Sequence, residues 1–144
     1  MDRDLAADFV ERFATFWRAP QPEQLDTVLA PDARLSAPMV PTTYGLEAGR
    51  RSFVELFELI PDMTAEVHRW GATSDGVLIE LTVRGTASGS TVSWQAVDRF
   101  VLDEEGLAVE RFTYFDSLPL ILTLIRRPRT WPAFMRSRLK QMRR

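Results

Sequence analysis

SDGVLIELTVRGTASGSTVSWQAVDRFVLDEEGLAVERFTYFD runs from Ser74 to Asp116 and is punctuated by residues that reverse a chain. Ser74-Asp75-Gly76, Ser88-Gly89-Ser90 and Asp103-Glu104-Glu105-Gly106 each read as a hairpin turn, because Gly and Asp accept the backbone dihedrals that tight reversal needs. The runs they separate are rich in Val, Thr and aromatic residues, so four strands are expected, the first of them carrying His68. Consecutive strands joined by short turns form an antiparallel meander.

Upstream, the apolar period changes from that of a strand to that of a helix. Leu5, Phe9, Phe13 and Phe16-Trp17 recur at helical spacing and predict a first helix that ends near Pro20. Residues 22–29 fit a short second helix, with Pro22 near its start. Residues 33–37 read as a strand, after which Pro38 and Pro41 force a loop. Gly45 precedes a third helix whose Phe53, Leu56, Phe57 and Ile60 share one face, and Pro61-Asp62 stops it. Helices first and strands second predict an α+β fold. Three helices would cover the concave face of a curved antiparallel sheet, making a cone-shaped α+β barrel with an open end and an internal pocket.

Composition narrows the class. A chain of 144 residues with 45% hydrophobic and 26% charged residues is long enough to bury one real core. With no cysteine and a single histidine it offers no disulfide and too few ligands for a protein-only zinc site, and nothing in it calls for a cofactor. Met1-Asp2-Arg3-Asp4 puts charges where a signal peptide needs an apolar core, and no apolar run approaches the roughly 20 residues of a membrane span. A cytoplasmic protein is the expectation. The net charge of -2 hides an asymmetry, because every acidic residue lies at or before Asp116 and the tail beyond is purely basic. Residues 1–117 are therefore expected to form the barrel domain, and residues 118–144 a helical extension of the same unit, apolar first and basic afterwards.

Within this frame, Gly45-Leu-Glu-Ala-Gly-Arg-Arg-Ser-Phe, Ile60-Pro61-Asp62, Val97-Asp98-Arg99-Phe100, and Glu105-Gly106 leading into Tyr114-Phe115-Asp116 occur in order. Together they resemble the nuclear transport factor 2-like superfamily, in particular its SnoaL-like members, over residues 5–122. The resemblance implies a pocket without fixing a reaction. Relatives include polyketide cyclases, ketosteroid isomerase, limonene epoxide hydrolase, scytalone dehydratase and proteins with no catalytic role. Aligned without a gap to the isomerase pattern, Phe13 replaces the oxyanion tyrosine and Ala37 the catalytic base, which argues against that activity. The epoxide hydrolase pattern needs an Arg-x-Asp pair where this chain has Glu80-Leu81-Thr82, and only its terminal aspartate is matched, by Asp116.

Residue chemistry points chiefly to Asp98. Trp94, Ala96, Asp98, Phe100 and Leu102 share one strand face, so a carboxylate sits in an apolar register and must find partners there. If residues 103–106 form the loop, Leu102 pairs with Leu107, and Asp98 stands opposite Arg111. This pair reads either as acid and base machinery or as a structural ion pair. Asp116 is either a general base, as in SnoaL-like cyclases, or the cap of a helix beginning near Leu118; strict alternation turns it away from Arg111, Thr113 and Phe115. His68 reads as a solvated or hydrogen-bonded strand residue. Phe13, Trp17, Met39, Tyr44, Trp94, Phe100, Thr113 and Phe115 are the candidate pocket lining.

The expected ligand is a hydrophobic small molecule and the expected partner a second copy of the chain, joined through the outer sheet face. Catalysis would be cofactor-independent cyclisation, dehydration or isomerisation; the rival is a non-catalytic binding or accessory protein. The run 118–125 reads as a lid over the cone, and residues 126–144, with Trp131 and Phe134 among arginines, as solvated or as a weak membrane-surface contact. The acidic body and the lack of a known motif argue against nucleic acid.

Overall fold

The computed structural model describes residues 1–116 and, in the tail, Leu118, Leu122, Arg126, Pro132, Arg136 and Leu139. The lid reading of 118–125 and the membrane-surface reading of 126–144 rest on residues outside those described. Helix α1 spans Arg3–Arg18; the Asp2 carboxylate accepts the Asp4 N–H at its start, and Ala6, Phe9, Phe13, Phe16 and Trp17 form its buried face. The second helix is a single stretch of 3₁₀ helix, Pro22–Thr27, which ends earlier than expected because the chain enters strand β1, Leu29–Ala37, directly afterwards. Strand β2 is Val40–Tyr44, and helix α2 is Leu46–Leu59. The meander follows as β3 (Thr64–Ala72), β4 (Gly76–Ala87), β5 (Ser90–Leu102) and β6 (Ala108–Phe115).

The loop expected from Pro38 and Pro41 is instead a tight hairpin. Met39 makes the turn at φ 66°, Ala37 pairs with Val40, and Pro41 lies inside β2. Proline is tolerated there because β2 is an edge strand whose outer N–H groups have no ladder to join. The sheet order is β2-β1-β6-β5-β4-β3, so the expected antiparallel meander occupies one side of an unclosed, curved sheet. β1 completes it by running parallel to β6, with Leu35 beside Arg111 and Ser36 beside Phe112. The turn between β4 and β5 holds Ser88 at φ 48° and Gly89 at φ 77°, the two positive dihedrals of the hairpin turn that matches strand twist.

The concave face is divided between the helices. Under α1 it is solid: Phe100 meets Phe9 at 4.9 Å and Phe13 at 5.2 Å between ring centroids, both edge to face, over Val77 and Ile79. Arg12 fastens this end by donating from Nη1 to the Thr27 carbonyl and from Nη2 to the Gly106 carbonyl, each at 2.8 Å. Under α2 the described residues leave a cavity on the same face. None of the described helices is long and apolar enough to cross a membrane.

Candidate functional site

The space beneath α2 is a cavity of about 780 Å³, within the range typical of small-molecule sites, about 300–1,000 Å³. Leu35 from β1, Phe53 and Leu56 from α2, Ile60 just after it, Leu81 from β4 and Trp94 from β5 supply its apolar wall. This follows from sequence locally: the face of α2 that carries Phe53 and Leu56, continued by Ile60 at its C-cap, turns to the sheet, and period-two alternation brings Leu81, Val83, Trp94 and Ala96 to meet it. Arg111 and Thr113 of β6 enter the wall as polar residues among these.

Both are organised by Asp98, which is 0% exposed and lies behind the wall rather than in it. Asp98 Oδ1 accepts the Thr113 hydroxyl at 2.6 Å, and Oδ2 accepts Arg111 Nε at 2.9 Å and Nη2 at 2.7 Å. The Arg111 side chain, 16% exposed, also sits over the Phe53 and Phe100 rings at 5.9 Å. A buried carboxylate is compatible with folding because its charge is paired and both oxygens accept bonds.

The register that makes this contact differs from the expected one. Asp98 faces Thr113, and Arg111 faces Phe100, because the irregularity between Val101 and Leu102 aligns Leu102 with Ala108 and Val101 with Glu110. The displacement is one residue at Leu102 and two from Val101 onward, which keeps Arg111 and Thr113 on their expected face and turns Ala108 inward in place of Leu107. Arg111 therefore reaches Asp98 diagonally, and Thr113 occupies the place directly opposite.

Among the other candidates, Trp17, Met39, Trp94, Thr113 and Phe115 line the cavity. Phe13 and Phe100 do not; they pack behind it in the α1 core, since α1 descends onto the far half of the sheet. Tyr44 is 70% exposed and stands outside under Arg34, because β2 pairs it with the outward-facing Arg34. Asp116 is exposed, is absent from the cavity wall, and accepts the Leu118 N–H at 3.0 Å. His68 bonds through Nε2 to Thr82 Oγ1 at 2.7 Å, and Glu80 pairs with Arg69 at 3.0 Å, so neither joins the cavity. Ala37 does line it.

Sequence reading missed the carboxylates of the wall: Glu55, Glu58 and Asp62. Their i, i+3, i+7 spacing is the signal that places them on one side of α2 and its exit. Asp62 ties this exit to β4, accepting the Thr86 N–H at 2.7 Å and the Thr86 hydroxyl at 2.8 Å. These bonds, the hydroxyl's foremost, hold its pKa below the usual carboxylate value.

A family model described as a SnoaL-like domain matches residues 10–111. Solved structures share the fold. A protein described as a SnoaL-like polyketide cyclase from Jannaschia sp. CCS1 superposes with a TM-score of 0.71 at 19% identity, covering 84% of this chain and 94% of that one. An LEH-like epoxide hydrolase from M. tuberculosis gives 0.70 at 20% identity, over 92% and 96% of the two chains. An NTF2-like protein of unknown function from Burkholderia pseudomallei gives 0.72 at 19% identity, over 84% and 96%. No curated protein sequence matches the chain significantly.

Proposed function

The chain belongs to the SnoaL-like domain family, and from that premise we propose that it binds a hydrophobic small molecule in the cavity between α2 and the sheet. The observation that carries this reading is an apolar space of about 780 Å³ whose wall holds Arg111 and Thr113 fixed by a wholly buried Asp98. Few convergent polar groups in an otherwise apolar concavity orient a ligand, and the rest of the wall supplies burial.

Geometry also sorts the chemical roles. Both oxygens of Asp98 are occupied and it does not reach the cavity, so it acts as a positioning residue rather than a base. Arg111 remains as a donor to an oxygen that gains negative charge. An isomerase, cyclase or dehydratase built here would place Arg111 in that electrophilic role; a binding protein would use the same residue only to orient its ligand. Asp116, outside the wall, serves neither. The reading extends to a homodimer through the outer sheet face, supported by exposed Leu78, Val97 and Tyr114, the last two cross-strand partners.

Thermal unfolding against steroids, polyketide-like aromatics, lactones, terpenoid epoxides and fatty acids tests the binding claim. A ligand at about 100 times its Kd adds about 2.7 kcal/mol and raises Tm by several degrees. Trp17 and Trp94 in the wall give a second readout through their fluorescence. Absence of any shift across all of these classes overturns the reading.

A further inference from the structure

Among the described residues that line the cavity, Arg111 is the sole cation, while Glu55, Glu58 and Asp62 carry carboxylates. The charge of Arg111 is already matched by Asp98, at 2.7 and 2.9 Å. Nε and Nη2 serve that carboxylate, which leaves Nη1 as the guanidinium nitrogen for the cavity. Thr113 Oγ1 donates its proton to Asp98, so toward a ligand it presents lone pairs only.

These features act together on ligand charge. A second anion near Arg111 would meet a cation that is already neutralised and the lone pairs of Thr113, in a space too apolar to screen the repulsion. An uncharged acceptor meets none of these costs and still receives a charge-assisted hydrogen bond from Nη1. We propose that the cavity selects an uncharged apolar molecule bearing a carbonyl oxygen, held by Arg111 Nη1, and discriminates against the corresponding carboxylate. The inference rests on the hydrophobic-ligand reading above and adds the sign and type of the ligand's polar group.

Three probes on one skeleton test it: 2-acetylanthracene, 2-ethylanthracene and anthracene-2-carboxylate, each titrated into the full chain at pH 7 and followed by fluorescence. The ketone is expected to bind about ten-fold or more tightly than the hydrocarbon, as a hydrogen bond from a charged donor in an apolar site implies, and the carboxylate more weakly than the ketone by a similar factor. In the double variant Asp98→Leu/Arg111→Leu, which removes the donor without leaving a lone buried charge, the ketone should lose its advantage over the hydrocarbon. If the carboxylate binds tightest, or the hydrocarbon equals the ketone in the unaltered protein, the proposal is overturned while the apolar cavity reading stands. If none of the three binds while a compound of another class raises Tm, the proposal falls and the cavity reading stands; if no compound of any class binds, both fall.

Discussion

Replacing Asp98 by Leu is the sharpest perturbation the structure offers. It removes three accepted hydrogen bonds, from Thr113 Oγ1 and from two nitrogens of Arg111, and leaves a guanidinium that is only 16% exposed without its counter-charge. Breaking a buried pair from one side costs about 3–5 kcal/mol. Arg111 borders the cavity, where water can reach part of the guanidinium, so the lower end applies: about 3 kcal/mol, or a fall in Tm of roughly 10 °C for a chain of this size. Arg111→Leu should cost at least as much, because Asp98 is buried completely and has no such relief. The double variant Asp98→Leu/Arg111→Leu replaces the pair with apolar groups of similar volume and should recover most of the loss, by at least about 2 kcal/mol against the sum of the single changes. Denaturant unfolding of the four proteins, with m-values compared, gives each difference directly. Additive losses, or a single Asp98→Leu loss below about 1 kcal/mol, would refute the claim that the two residues form one buried unit.

Other outcomes follow from particular contacts. Gly76→Ala should lower the denaturation midpoint by the equivalent of about 3 kcal/mol or prevent folding, since its Cβ would stand 1.9 Å from the Phe100 carbonyl oxygen and force β4 and β5 apart; a loss under about 1 kcal/mol contradicts that packing. Because the pKa of Asp62 is lowered in the folded state, its contribution is complete above the ordinary carboxylate pKa and is lost as pH falls through the lowered value. Asp62→Asn should accordingly flatten the acid limb of a midpoint-against-pH profile and leave the neutral region nearly level; an unchanged limb removes the Thr86 latch from the account. Val97→Lys places a charge in the middle of the outer face, and on the dimer we propose, light scattering after gel filtration should report a dimer for the unaltered chain and a monomer for the variant; a monomer in both removes that interface.

Much of the fold was legible because its signals are local. Turn residues at 74–76, 88–90 and 103–106 mark the meander, and the helical period of Phe9, Phe13 and Trp17 marks α1 without ambiguity. What local signals lack is information about neighbours. Pro41 reads as a strand breaker until β2 is known to be an edge, and nothing in residues 29–37 announces that β1 will lie parallel to β6. Tyr44 and Phe13 look like pocket aromatics by composition alone; which half of the concave face each meets depends on where α1 and β2 dock.

The site shows which level of sequence information survives an error in register. Loop counting set Asp98 opposite Arg111, two residues from the observed pairing with Thr113. An error of one residue would have turned Arg111 to the outer face and destroyed the inference; an error of two preserved it, because face parity repeats at that interval. Parity is also what constrains the function. It delivers Arg111 and Thr113 to the apolar wall, and Asp98, in the same parity on the adjacent strand, lies behind them where it can hold both and touch no ligand. The same alternation turns Asp116 outward to the Leu118 amide. On the reading we propose, Asp98 fixes a donor and Asp116 spends an oxygen on the Leu118 amide, which suits the cavity to recognition of an oxygen atom rather than to the work of a base.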